Sequence, residues 1–361
     1  MNTLKAGIVD LIEALGPISV SEYFALCLSD PRHGYYMTRD PFGRDGDFTT
    51  APEISQMFGE AIGVWLVLAW RALGRPQQPV LAEIGPGRGT LAKDIARTLD
   101  RLEPSLRPSA SFTLIETSPK LNLLQATTLK GAGGRFDWVK SVDELPDGPL
   151  LIVGNELFDA IPMRQYIKSG GAWRERMIGI DMEDRLLFTA GAGSLDPSLL
   201  PPGAAAAKDG TIFEVAPART ALMQTIAERI AEKGGAGLFV DYGHLRPGFG
   251  DTLQAVRKHR PEDVLENPGE ADLTSHVDFS ALASTARAAG LDAHLMTQGA
   301  FLLGLGLLER AGVLGADADE ARRNDIRAAV ERLAGPDQMG DLFKVLAILP
   351  RAVSVRPFAV A

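Results

Sequence analysis

The run Leu81-Ala82-Glu83-Ile84-Gly85-Pro86-Gly87-Arg88-Gly89-Thr90-Leu91 constrains the chain more than any other. Ahead of it, Pro79-Val80-Leu81-Ala82 is a short apolar segment of the kind buried in a parallel strand. After it, Thr90 is placed to cap a helix whose apolar positions Leu91, Ile95, Ala96 and Leu99 recur at helical spacing. Between them lie three glycines at alternate positions. Glycine turns at positive φ without penalty and lets a ligand lie against bare backbone. Strand, glycine turn and helix N-terminus form a frame that α/β proteins use to hold nucleotide-like ligands.

The spacing narrows the ligand. A dinucleotide fingerprint reads G-x-G-x-x-G, whereas this turn reads Gly85-x-Gly87-x-Gly89. Glu83, two residues before the first glycine, would set a carboxylate where NAD places its pyrophosphate, so an NAD-dependent dehydrogenase is disfavoured. An acid there suits a cationic ligand, and S-adenosylmethionine carries a sulfonium and an ammonium and no phosphate. Glu116 ends the next apolar run, Ser111–Ile115, where a carboxylate can accept both ribose hydroxyls. Charge-assisted hydrogen bonds of that kind are worth roughly 1.5–3 kcal/mol each.

The rest of the composition excludes several classes. A chain of 361 residues can hold one large domain or two. The net charge of −9 argues against nucleic acid as the main partner. Cys27 is the one cysteine, so no intrachain disulfide or Cys-rich metal site is expected, and its apolar surroundings read as core. No apolar run approaches the roughly 20 residues of a membrane-spanning helix, so no membrane insertion is expected. Asp10 and Glu13 interrupt the apolar N-terminus, which reads as neither a signal nor a transit peptide. The expectation is a cytoplasmic bacterial enzyme without a metal.

Taken in order, residues 4–15 and 20–28 read as amphipathic helices. The segment from His33-Gly34-Tyr35-Tyr36 to Gly59 is rich in glycine, hydroxyl and aromatic residues, and reads as a long loop able to fold over a ligand. Helix start signals follow at Thr50-Ala51-Pro52-Glu53, and the helix runs on to Leu73. From residue 79, strands at 79–84, 111–116, 135–139 and 149–154 alternate with helices, the pattern of a parallel sheet covered on both faces. The fourth ends in Asn155-Glu156-Leu157-Phe158-Asp159, two acids and an amide at a carboxyl strand end, where α/β sheets bind ligands. Residues 163–190 read as a hairpin or small sheet, 191–210 as a loop, and 246–280 as a long irregular segment. That segment holds His276 beside Asp278, a pair that could form a polarised base. The Leu-rich stretch Phe301–Leu308 offers core or an oligomer face, with core favoured.

These segments carry a resemblance. His33-Gly34-Tyr35-Tyr36, Gly46-Asp47-Phe48-Thr49-Thr50-Ala51-Pro52-Glu53-Ile54-Ser55-Gln56, Glu83–Thr90, Asn155–Pro162, Asp241-Tyr242-Gly243, Asp272–Phe279, Gln298–Leu302 and Phe343–Leu346 occur in order. Together they resemble the MidA-like methyltransferases, relatives of the mitochondrial complex I assembly-factor arginine methyltransferase. The resemblance implies a class I S-adenosylmethionine-dependent methyltransferase fold. This is a seven-stranded Rossmann-like α/β sheet with a last antiparallel strand. It places a helical N-terminal region with the covering loop at 1–76, and the methyltransferase domain at 77–361 with insertions near 163–210 and 246–280. It implies a protein substrate like a complex I subunit. Methylation of a small molecule or another protein side chain, or a non-catalytic assembly role, are the alternatives. In this reading Glu156 grips a guanidinium, Asp159 is a second acid or a support and His276 a reserve base. Glu83, Gly85, Gly87 and Gly89 hold the methionine moiety and Glu116 the ribose. Asn155 also faces the cofactor, and Thr49, Thr50, Glu53, Ser55 and Gln56 close over it.

Overall fold

The computed structural model describes residues 3–38 and 49–358, and their contacts divide into two units. The expected loop residues 42–48, including Gly46-Asp47-Phe48, lie outside the described residues.

The larger unit holds residues 49–157, 222–245 and 277 onward. Its sheet is built from β1 (Val80–Ile84), β2 (Ser111–Ile115), β3 (Phe136–Val139), β4 (Leu150–Asn155), β5 (Gly235–His244), β6 (Asp292–Thr297) and β7 (Phe343–Leu349). They lie in the order β3-β2-β1-β4-β5-β7-β6. The pairs from β3 to β5 are parallel, and β7 runs antiparallel to both β5 and β6. This is the class I methyltransferase order with its antiparallel last strand. β1 and β4 are buried along their whole lengths, which is why they read as unbroken apolar runs. Strand order reverses where β1 meets β4, so the crevice for a ligand opens beyond their carboxyl ends.

Helices α1 (Gln56–Ala72) and α2 (Thr90–Leu102) pack on this sheet and against each other. Their contact is close because Gly59 and Gly63 face Asp94 and Thr98. A Cβ on Gly59 would sit 2.5 Å from the Cβ of Asp94, and one on Gly63 2.8 Å from that of Thr98. The single helix expected from Thr50 is instead a short turn, Ala51–Ile54, and then α1. The break falls at Ser55, which is extended and uses its hydroxyl to accept the Met57 N–H as the N-cap of α1.

The smaller unit holds residues 3–38, 158–221 and 246–276. Helices Thr3–Leu15 and Val20–Ser29 form as expected, the second opened by a full capping box between Ser19 and Glu22. Their apolar faces (Leu4, Ile8, Ile12, Tyr23, Phe24) share a core with Met163, Ile178, Leu186 and Leu273. Cys27 is in this core, and burial pushes its thiol up to about 12. Strands Arg164–Ser169, Ala172–Ile180, Leu186–Ser194 and Ile212–Val215 form an antiparallel sheet. The segment expected to be irregular after residue 246 contains a second sheet, Gln254–Arg257 with Arg260–Glu262 and Asp272–Thr274.

The contacts therefore do not divide at residue 76. The reason is the apolar face of α1, where Phe58, Ile62, Trp65 and Leu66 join the same core as Leu91, Ile95 and Leu99 of α2. The N-terminal helices share their core with the two inserted segments instead.

Candidate active site

At the carboxyl end of β1, Gly85, Gly87 and Gly89 all take positive φ (68°, 51° and 82°). Gly89 is itself the left-handed N-cap of α2, and its backbone lies so close to Gln125 that an added Cβ would be 3.4 Å from the Gln125 Cα. Thr90 is thus the first residue of the helix and not its cap. Its hydroxyl donates to Glu53 of the short turn Ala51–Ile54.

Glu83 is 2 % exposed and turned beneath the glycines, where it accepts the Ala92 N–H in the first turn of α2. Burial drives its carboxyl well above the ordinary range against that hydrogen bond. Its geometry braces the turn. Its Oε2 meets no donor among the described residues, and the same holds for Oδ1 of buried Asn155. Each unmet acceptor costs about 1–3 kcal/mol. Both atoms are shut off from the surface.

Glu116, just past β2, is fixed by three donors, one of them the Thr117 amide. Its Oε1 accepts the Ser118 N–H at 2.7 Å and its Oε2 the Gln125 Nε2 at 3.1 Å. The same Gln125 amide donates to the Gly87 carbonyl at 2.9 Å and is oriented by Trp138 Nε1 at 2.9 Å. Gln125 therefore ties Glu116 to the glycine turn. A carboxylate has about four lone-pair directions, and Ser118, Thr117 and Gln125 take three of them. Burial raises the pKa of Glu116, and the donors from Ser118, Gln125 and Thr117 oppose that rise.

At the end of β4, Glu156 adopts φ +51°, a left-handed conformation unusual for a side chain of this kind. Its amide donates to the Val240 carbonyl, and the Leu157 amide to Asp241 Oδ2 at 3.1 Å, so β5 holds the turn. Its Oε1 accepts from Asn155 Nδ2 at 2.9 Å and from the Ala51 N–H at 3.2 Å. The segment Thr49–Ile54 is thus tied both to α2, through Glu53, and to β4, through Ala51. Thr50 is buried and Thr49 half-buried. Ser55 and Gln56 are used elsewhere, Ser55 in capping α1 and Gln56 in donating to Glu60 at 3.2 Å.

The other two expected catalytic residues, Asp159 and His276, belong to the smaller unit. There the main chain of both is held by Arg219, which is 2 % exposed. Its guanidinium donates to the carbonyls of Asp159 (3.1 Å), Ile161 (3.0 Å) and His276 (2.8 Å), and to Ser275 Oγ (2.5 Å). Asp278 does not serve as the expected partner of His276. It is the N-cap of helix Phe279–Ala288, accepting from Ser280 and Ala281, with His244 Nδ1 3.9 Å away.

A glycine turn followed by an acid at the end of the next strand, on this sheet order, defines a class, and comparison with known proteins defines the family. Residues 61–297 match the model of a family described as S-adenosyl-L-methionine-dependent methyltransferases. The chain belongs to that family. This methyltransferase is 37 % identical over 365 residues to the mitochondrial protein arginine methyltransferase NDUFAF7 of Danio rerio, covering 94 % of this chain and 85 % of the relative. The human NDUFAF7 is 36 % identical, with 94 % and 81 % covered. A Burkholderia thailandensis protein crystallised with S-adenosyl-homocysteine superposes with a TM-score of 0.83 at 29 % identity, over 97 % of this chain and 92 % of that one. S-adenosylmethionine is accordingly the methyltransferase's cofactor. The same relatives correct the expectation of a cytoplasmic location, because those of Danio rerio, human and Drosophila melanogaster are all named as mitochondrial. Two acids near the N-terminus were no guide to location.

Proposed function

We propose that this methyltransferase methylates an arginine side chain of a protein, and that its substrate is a complex I subunit or a protein like one. The relatives named as protein arginine methyltransferases support the residue type. The observation that carries the site assignment is Glu156, held left-handed at the end of β4 by Asn155, Ala51 and β5. Strain of this kind, about 1–3 kcal/mol, persists only where the surroundings over-determine it, and it gathers at reacting centres.

S-adenosylmethionine, when bound, supplies a methyl group open to in-line displacement by a nitrogen. A guanidinium is always protonated and its charge is delocalised, so its nitrogens are poor nucleophiles. The Glu156 carboxylate accepts N–H donors from such a group, draws positive charge toward the gripped nitrogens and leaves another to attack the methyl carbon; the sulfur would leave as neutral S-adenosylhomocysteine and the attacking nitrogen would pass its proton to the Glu156 carboxylate. Glu116 and the glycine turn hold the cofactor, and Glu53 and Ala51 bring the segment 49–54 over it. Asp159 and His276 have supporting parts through the loops that Arg219 fastens.

The test is transfer of labelled methyl from S-adenosylmethionine to isolated complex I, with acid-stable methylarginine as the readout. Glu156→Gln keeps size and loses charge. It is expected to bind cofactor as wild type does and to lose about a hundredfold in turnover, as removal of a positioned electrostatic group does. Label in another residue type would overturn the arginine assignment, and full turnover by E156Q the role of Glu156.

A further inference from the structure

Away from the cofactor crevice, α3 (Leu307–Gly315) lies beside α1 and α2, and the three border a groove of about 600 Å³. Its apolar lining includes Met57, Ala61, Val64, Leu305 and Leu307. Most of its charges are already paired. Arg310 clasps Glu60 with two hydrogen bonds, at 2.6 and 2.8 Å, and Arg97 adds a third contact to Glu60 at 3.5 Å.

Two charges on the groove are not. Arg101 and Glu309 are exposed, and neither has a side-chain partner among the described residues. The groove also carries exposed apolar side chains: Leu102 is 41 % exposed and Val313 65 %. Large apolar side chains grouped in this way, with a polar rim, mark an association surface.

The charges indicate what covers it. An anionic ligand would satisfy Arg101 and leave Glu309, and a cationic one would do the reverse. One unspent charge of each sign flanking an apolar patch is a self-complementary pattern. In a two-fold contact every pairing occurs twice, residue i with j and j with i. We infer that two copies of this chain associate through the groove between α1, α2 and α3, Arg101 of each pairing with Glu309 of the partner subunit and Leu102 and Val313 closing over the apolar lining.

Sedimentation equilibrium of the full chain and three variants tests this. Wild type is expected at twice the mass of one chain at micromolar concentration. Arg101→Glu and Glu309→Arg each set two like-charge pairs across the contact, and each is expected to weaken association about a hundredfold or more. The double variant R101E/E309R restores opposite charges and is expected to regain the dimer. Both positions are exposed, and unchanged circular dichroism and melting temperature would show that the variants fold. A monomeric wild type, single variants that remain dimeric, or a double variant that stays monomeric would each overturn the inference. The restoring double variant separates this face from a dimer made elsewhere.

Discussion

The backbone N–H of Ala51 donates to Glu156 Oε1 over 3.2 Å, so the residue proposed to grip the substrate also receives the segment proposed to cover the cofactor. Ala51 opens a short helical turn, and Thr50 before it is extended, with φ −76° and ψ 160°. That conformation is the one that a residue preceding proline prefers, and the first position of a helix tolerates proline. Ala51→Pro therefore removes one donor while leaving the turn its shape. The variant is expected to melt as wild type does, to bind S-adenosylmethionine within about threefold, and to lose about tenfold in kcat, as loss of roughly one hydrogen bond at the reacting carboxylate implies. An unchanged kcat would mean that this contact does not orient Glu156.

Gln125 bridges Glu116 and the Gly87 carbonyl, and this makes ribose binding depend on a residue that touches no cofactor atom in the proposed scheme. Glu116→Ala removes both charge-assisted acceptors, each worth roughly 1.5 kcal/mol at least, and is expected to raise the cofactor Kd about a hundredfold. Gln125→Ala leaves Glu116 in place but loosens it, with an expected rise of about tenfold. Calorimetric titration with S-adenosylmethionine reads both. Equal losses in the two variants would place Gln125 on the ligand itself.

Much of this arrangement was legible in the sequence, and what was not has physical reasons. The runs at 79–84 and 149–154 announced buried parallel strands because both faces of β1 and β4 are covered, and the acids beyond them fell at strand ends. The sheet order is not written in periodicity, and it entered only through family resemblance. Glu83 reads from the sequence as a ligand acid, and the structure finds it buried and accepting the Ala92 N–H. Side chains two apart on a strand share a face, so Glu83 lies on the face of Leu81, but with both faces of β1 covered the sequence carries no alternation that tells one face from the other. Gln125 and Arg219 left no local signal. Each looks like an ordinary polar position in a helix, Pro119–Thr128 or Pro217–Lys233, and acts on residues 38 and 56 to 60 positions away. The irregular look of residues 246–280 came from short strands, three residues long in two cases, where no alternation can establish itself.

Asp94 gives the fold a defined response to pH. It lies between α1 and α2 against Gly59, and burial raises its pKa from 3.8 to about 6, helped by Glu60 and Glu53 and opposed by Arg97 and Lys93. The folded state thus holds a proton that the unfolded chain releases first. Stability from this group is complete below about pH 4 and is lost as pH rises to about 6, by up to about 3 kcal/mol for a shift of about two units. Asp94→Asn cannot titrate. Urea unfolding across that range is expected to show a wild-type stability that falls relative to the variant as pH rises, with a constant gap above about pH 6. Parallel curves across the range would refute a raised Asp94.

Arg219 is the corresponding fixed point of the smaller unit. Its buried guanidinium serves three carbonyls and one hydroxyl, and these join the loop after Asp159 to the loop at Ser275-His276. Hydrogen bonds to a charged group are worth roughly 1.5–3 kcal/mol, and removing the donor leaves buried carbonyls unmet. Arg219→Ala is expected to destabilise by more than about 3 kcal/mol. Arg219→Lys keeps the charge but not the planar fork, so it can serve only part of the set and should fall between the two. The informative comparison is with Asp159→Asn and His276→Gln, which leave the main-chain carbonyls and their Arg219 bonds intact. If those loops act as supports, both variants are expected to keep stability within about 1 kcal/mol and to lose less turnover than E156Q. A loss of turnover in H276Q equal to that in E156Q, at unchanged melting temperature, would instead make the imidazole a participant in the reaction.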